Sequence, residues 1–233
     1  MRILKTEQYI NEKLNIKPVT RERLADLKGT KVDEKTKQFI EYNNLIWNPV
    51  TKSYDCGGNI NVSEDIVTDG KLKIRFGKVG GYFVCNNNNL TTLEGAPQEI
   101  GKAFDCSGNK LTTLEGAPKK VGGYFDCDNN KLTTLEGAPK KVGGYFSCSH
   151  NKLTTLEGVP NEVGEDFYCN YNELTTLKGA PKKINGIFGC SYNKLVSLEG
   201  APQYVDKNFY CNGNPDLVLS KKKPSWIKGK IIS

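Results

Sequence analysis

The chain has 233 residues, a formal net charge of +7, and eight cysteines against a single histidine. Charges scattered through "MRILKTEQYINEKLN", and no run approaching the ~18 apolar residues of a membrane helix, predict neither a secretory leader nor a membrane span, and hence a soluble protein of the reducing cytoplasm. The excess charge lies at the ends: Lys and Arg outnumber Asp and Glu by ten to seven over residues 1–50 and by five to one over 215–233, while the stretch between holds 18 of each.

Residues 1–50 read as a small helical N-terminal cap or docking segment. "ILKTEQYINEKL" puts Ile3, Ile10 and Leu14 on one helical face, "TRERLADLKG" opens on Thr20 and closes on Gly29, and "DEKTKQFIEYNN" carries Phe39, Ile40 and Tyr42. Residues 51–84 read as an atypical first repeat, with Cys56 of "YDCGGN" matched to "FDCSGN" further on. Cys56 stands 29 residues before Cys85, which implies an eight-residue insertion. Within it, "VSEDIVTDGKLKIRFGKVG" predicts a hairpin or extended strand around Asp69 and Gly70.

Residues 85–217 repeat with a period of 21. Cysteines recur at 85, 106, 127, 148, 169, 190 and 211, each preceded two residues earlier by phenylalanine (Phe83 to Phe209), and a fixed period of this length signals stacked coils. Phe and Cys two apart share one side of a short strand, so they predict two buried ladders. Asparagine follows each cysteine by three positions (Asn59, then Asn88 to Asn214), where an amide can satisfy turning backbone. Gly and Pro in every return segment, as in "LTTLEGAPKKVGG", exclude a helix there and leave an extended or 3₁₀ return. The expected fold is mainly β: a curved repeat solenoid of eight short parallel strands, one per copy. Residues 218–233 form the basic C-terminal cap, with a last strand and a cover anchored by Trp226.

Phe125, Cys127, Asn130, Leu132 and Leu135 occupy the places of L-x-L-x-x-N-x-L-x-x-L. In this the chain resembles the leucine-rich-repeat family over residues 53–217, and the short coil with proline in its return is similar to the bacterial effector-type subclass. It departs from the family in placing Phe and Cys where strand leucines stand. The first helix resembles leaders on proteins of large bacteriophages. These resemblances imply a non-enzymatic binding scaffold, a phage source and a host protein as target; the remaining residues are too few for an appended ligase-like domain.

The chemical alternatives are poorly served. His150 lies two residues after Cys148, but Asn129 and Tyr171 fill its place in adjacent copies, so a Cys–His dyad has no special position. A line of thiols does not converge on a point as metal ligands must. "VGG" lacks the lysine and hydroxyl of a phosphate-binding loop. No enzyme, metal or cofactor is expected, and Cys127→Ser is expected to bury a hydroxyl without a sure partner.

A partner's mark is expected where copies differ on the outward side of the strands. That face carries Tyr82, Tyr124, Tyr145, Tyr168, Tyr171, Tyr192 and Tyr210, with Asp105, Asp126, Asp128 and His150, and no lysine. Rigid tyrosines suit a protein interface, and the aspartates favour a partner of basic or mixed surface while repelling nucleic-acid phosphates. Two alternatives stay open: a structural or virion-associated spacer docking through its N-terminal helices, and nucleic-acid binding through the basic termini.

Overall fold

The computed structural model describes residues 32–219 and 224–233. The two helices expected before residue 31, and Lys221 to Lys223 of the basic tail, lie outside the described residues. The third expected helix is present as Glu34–Tyr42, with the Asp33 carboxylate accepting from the Thr36 backbone N–H at 2.8 Å as its N-cap. It buries Ile40 and lays Phe39 edge-on against Phe76, 6.3 Å between ring centroids.

The rest is a β-solenoid of stacked coils. A nine-stranded parallel sheet forms its front, made of two-residue strands such as Phe125–Asp126 and Phe146–Ser147 in strict register. The return segment, expected to be extended or 3₁₀, supplies a second parallel ladder at the back, with strands such as Lys120–Val121 and Lys141–Val142. Each coil is thus pinned to its neighbours on both sides, and the interior between the ladders holds one column of each repeated residue.

Seven phenylalanines, Phe83 to Phe209, stack in parallel at 5.1–5.6 Å between centroids and interplanar angles of 5–15°. Trp226 closes this file edge-on, 5.4 Å from Phe209, as the expected C-terminal cover. The asparagine column works as the sequence requires. Asn130 donates through Nδ2 to the carbonyls of Cys106, Cys127 and Asp128 at 3.0, 3.2 and 3.2 Å, and its Oδ1 accepts from the Leu111 N–H at 3.0 Å.

The first coil differs from its expected register. Ile60, and not Tyr54, pairs with Phe83, and Cys56 faces Val79 in the back ladder. Cys56 therefore tops the Val/Ile column that runs through Val79, Ile100 and Val121, while Val62 takes the place the other coils give to cysteine. Asn59 likewise leaves the asparagine column, its Oδ1 accepting from the Tyr82 N–H at 3.0 Å, and Asn88 reaches the Val62 carbonyl at 3.1 Å. Gly57–Gly58 then align with Gly80–Gly81. The first coil is two residues longer than the period rather than eight, and the excess lies in a hairpin whose strands Val67–Thr68 and Lys71–Leu72 meet at Asp69 and Gly70, both at positive φ as a tight hairpin turn requires. At the other end Ile231–Ile232 adds a ninth front strand beside Phe209–Tyr210.

All eight thiols are free and buried. Within the column, Cys127 donates its S–H to the Ser147 carbonyl at 3.1 Å, and Cys169 to that of Gly189 at 3.2 Å. Burial pushes the Cys106, Cys127 and Cys148 thiols far up from their ordinary value, so little thiolate forms. A serine hydroxyl at 127 has that same carbonyl to donate to, which corrects the expectation of a partnerless group. Cys127→Ser should cost only about 1 kcal/mol. Native protein should resist a thiol reagent that labels all eight sites after denaturation; rapid native labelling at several sites would contradict the buried column.

Candidate functional site

The outward residues of the front strands come from four positions per coil. Counted from the phenylalanine, they are the residue before it, the residue after it, and the third and fourth after it. Strand alternation points the first two away from the core, and the other two follow where the chain leaves the strand. All eleven residues singled out from the sequence fall on these positions of one face.

The structure sorts them by burial and neighbours. Tyr82, His150, Tyr171 and Tyr192 are exposed, whereas Tyr124, Tyr145, Tyr168, Tyr210, Asp105, Asp126 and Asp128 are half-buried. Two aromatic files result. In one, Tyr124 and Tyr145 stack at 4.8 Å and 2°, flanked by Tyr82 and Tyr168 at 6.4 Å each. In the other, His150, Tyr171 and Tyr192 stack at 4.3 and 4.4 Å within 10° of parallel. The face was expected to hold no lysine, but Lys102 reaches over the Tyr82 ring at 5.3 Å, so the lysine-free stretch begins beyond Tyr82.

The second file stands on unusual backbone. Its position has positive φ in every regular coil: Asn87, Gly108, Asn129, His150, Tyr171, Tyr192 and Gly213 lie between 53° and 71°. Asn and Gly are the residues that tolerate this left-handed region. Tyr171 and Tyr192 are 45% and 47% exposed there, so no core packing holds their rings in place.

Between the files lie the carboxylates. Asp105 is held within the fold, accepting from the Ser107 N–H and hydroxyl at 2.9 and 2.7 Å and from Asn86 Nδ2 at 3.2 Å. Asp128 accepts from the Ser147 hydroxyl at 2.5 Å and the Ser149 N–H at 2.6 Å, and Asp126 from the Asp128 N–H at 3.0 Å. Burial, and then the Asp128 and Asp105 charges, raise Asp126 to about 7; burial also raises Asp128. The face is therefore less anionic near neutrality than the sequence count suggests.

A stability effect follows. The folded pKa of Asp126 lies above the unfolded ~3.9, so the folded state holds an extra proton between about pH 4 and pH 7. That contribution is complete at low pH and is lost as pH rises through about 7. The melting temperature should therefore fall more steeply from pH 5 to pH 8 in the parent chain than in Asp126→Asn. Superimposable pH profiles would show that Asp126 ionises normally.

Two adjoining hollows follow the files. One of about 370 Å³ runs from Asp126 and Asp128 between Tyr145 and Tyr168 on one wall and His150 and Tyr171 on the other, over Ser147, Ser149 and Asn170. The next, about 350 Å³, shares Tyr168, Asn170 and Tyr171 and continues over Gly189 to Tyr192 and Tyr210. Sequence reasoning missed the serine and asparagine floor, because small polar residues between variable tyrosines carry no signal until the coils are stacked. The back ladder presents exposed cross-coil pairs such as Lys141–Glu162 and Lys178–Glu199, which contribute little. No helix among the described residues is long and apolar enough to cross a membrane. Compared with known proteins, the chain matches no family model, no curated protein and no solved structure.

Proposed function

We propose that this chain is a non-enzymatic protein-protein interaction module that grips its partner with the Tyr/Asp face of the front sheet. The observation that carries the reading is the His150–Tyr171–Tyr192 file. Rings on left-handed backbone cost of order 1 kcal/mol each relative to Gly or Asn, and the fold does not need them, since Gly108, Asn129 and Gly213 serve the same turn in other coils. Exposed aromatics kept against local preference fit a recognition role. The 21-residue coil and its asparagine column support the leucine-rich-repeat resemblance, and the free buried thiols support a reducing compartment such as the cytoplasm of a bacterial host, where a phage-encoded module would meet a host protein.

The test replaces Tyr171 and Tyr192 together by asparagine, the residue that stands there at Asn129. The double variant should melt no lower than the parent. It should lose more than tenfold in affinity for the partner captured from a native lysate, about 1.4 kcal/mol. Retention of the partner by that variant, together with its loss on Lys119→Glu/Lys140→Glu at the back, would move the interface to the opposite ladder.

A further inference from the structure

The two hollows differ in chemistry, and the difference specifies an occupant. The first ends on two carboxylates that form no salt bridge among the described residues, since their hydrogen bonds come from a serine hydroxyl and backbone N–H groups. Burial raises both groups, the Asp105 charge adds to each and the Asp128 charge adds to Asp126, and an incoming cation would relieve that repulsion. The walls are Tyr145, Tyr168 and Tyr171 with His150, and a long cationic side chain packs its stem and head well over the tyrosine rings.

The second hollow is neutral, and Gly189 forms part of its lining. Other coils place Asn, Val, Asp, Ser, Tyr or Ile in the column of Gly189, whose φ is not positive, so the backbone does not demand glycine. A Cβ there would sit 3.0 Å from both Tyr168 Cδ1 and Asn170 Oδ1. That place is closed by Tyr168 and Asn170, and the open part of the hollow lies against Ile187, Tyr192 and Tyr210, where an apolar group fits.

The exposed rings offer few open faces. Tyr171 is sandwiched between His150 and Tyr192, and Tyr192 is backed by Gly213, where a Cβ would lie 2.5 Å from the ring. A sugar or nucleobase needs a ring face as its platform; these files present edges and hydroxyls, which suit the amides and side chains of a peptide.

We infer that the trough takes an extended peptide segment of the partner, seating a lysine or arginine side chain against Asp126 and Asp128 and an apolar side chain two residues away over Gly189. Spacing agrees: Asp126 and Gly189 are three coils apart, ~14 Å at the usual strand separation, of which residues i and i+2 of an extended peptide cover ~7 Å. The stem of the cationic side chain covers the remaining ~7 Å. The inference deepens the proposed binding face and rests on it.

Synthetic capped peptides of sequence Gly-Ser-Arg-Ser-Leu-Ser-Gly, with Arg→Gln and Leu→Ser controls, test it by NMR titration of the full chain at pH 8. The parent peptide should bind with a Kd below about 1 mM and each control at least tenfold more weakly. Asp126→Asn/Asp128→Asn should weaken the parent peptide tenfold while leaving the Gln control unchanged, and Gly189→Val should abolish discrimination between Leu and Ser. Thermal melts of both variants establish that they are folded. Equal binding of all three peptides, or no binding of the parent peptide at about five times the expected ~1 mM Kd, overturns the inference. If the peptides fail while Tyr171→Asn/Tyr192→Asn still loses the captured partner, only the peptide trough falls; if both fail, the binding face falls with it.

Discussion

Asn130→Ala is expected to destabilise the protein by about 3 kcal/mol and to broaden its unfolding transition. The magnitude follows from asking which backbone groups lose their only partner. The Cys106 carbonyl keeps Asn109 Nδ2 at 3.0 Å, the Cys127 carbonyl keeps Asn151 Nδ2 at 3.1 Å, and the Asp128 carbonyl keeps the Gly108 N–H at 2.9 Å. The buried Leu111 N–H, by contrast, loses Asn130 Oδ1 and is left without an acceptor. One orphaned donor costs roughly 1–3 kcal/mol, and the weakened amide bonds add about 1 more. Asn130→Asp should be at least as harmful: it keeps the acceptor for Leu111 but turns a carboxylate oxygen toward three carbonyls. Because each coil contacts only its neighbours, a weak coil in the middle of the stack partly uncouples the two halves, which chemical denaturation would show as a lower m-value. A single sharp transition at the parental midpoint would mean that the column is dispensable.

Gly137→Ala is expected to cost about 3 kcal/mol, for a different reason. Gly137 has φ of 88°, a conformation that L side chains rarely adopt, and its Cβ would fall 2.5 Å from the Glu115 N and the Leu114 C and O of the preceding coil. The neighbours are backbone and have no rotamer to change. They are also tied, since the Leu114 N–H donates to the Glu136 carbonyl at 3.0 Å, so a shift that relieves the clash breaks that bond. The substitution therefore combines backbone strain with overpacking. Thermal unfolding of Gly137→Ala and of Gly95→Ala separates the causes: Gly95 has nearly the same φ, 90°, but its Cβ would meet nothing closer than the Ile74 O at 3.0 Å and the Leu72 Cβ at 3.4 Å, so it shares the strain with far less overpacking and should cost less. Equal destabilisation of the two would assign the effect to backbone strain alone.

The solenoid was legible because its core is written once per coil: Phe, Cys, Asn and Leu recur at fixed steps, and each has a physical reason to be inside or at the turn. The first coil was misread because its cysteine was matched to the other cysteines. Gly57–Gly58 carried the true register, since glycine stands at the entry to most front strands, whereas a buried Cys and a buried Val are nearly interchangeable in size and polarity. The back ladder was hidden by its brevity, as two-residue strands such as Lys120–Val121 show no alternation. The last strand was expected in the C-terminal segment and is present as Ile231–Ile232, with isoleucine in the phenylalanine column. On the candidate face, the outward columns followed from strand alternation alone. The floor of the trough and the burial that raises Asp126 did not, because both arise only when coils 21 residues apart are stacked, and the positive φ of the tyrosine file did not, because tyrosine is not a residue that favours it.

Because the front and back ladders both run from one coil to the next, the ends of any 21-residue segment already fit each other. Duplication or loss of one such unit leaves every remaining coil with neighbours of the kind it had before, so the number of coils can drift in evolution at little cost to folding. Recognition is not equally indifferent. A unit gained before Phe125 or after Phe209 leaves the distance from Asp126 to Gly189 intact; one gained between them lengthens it by a strand spacing, ~4.8 Å, and puts a peptide out of step with one of its two seats. The copies form a ruler, and selection for a partner would fix the count only along the part of the ruler that the partner reads.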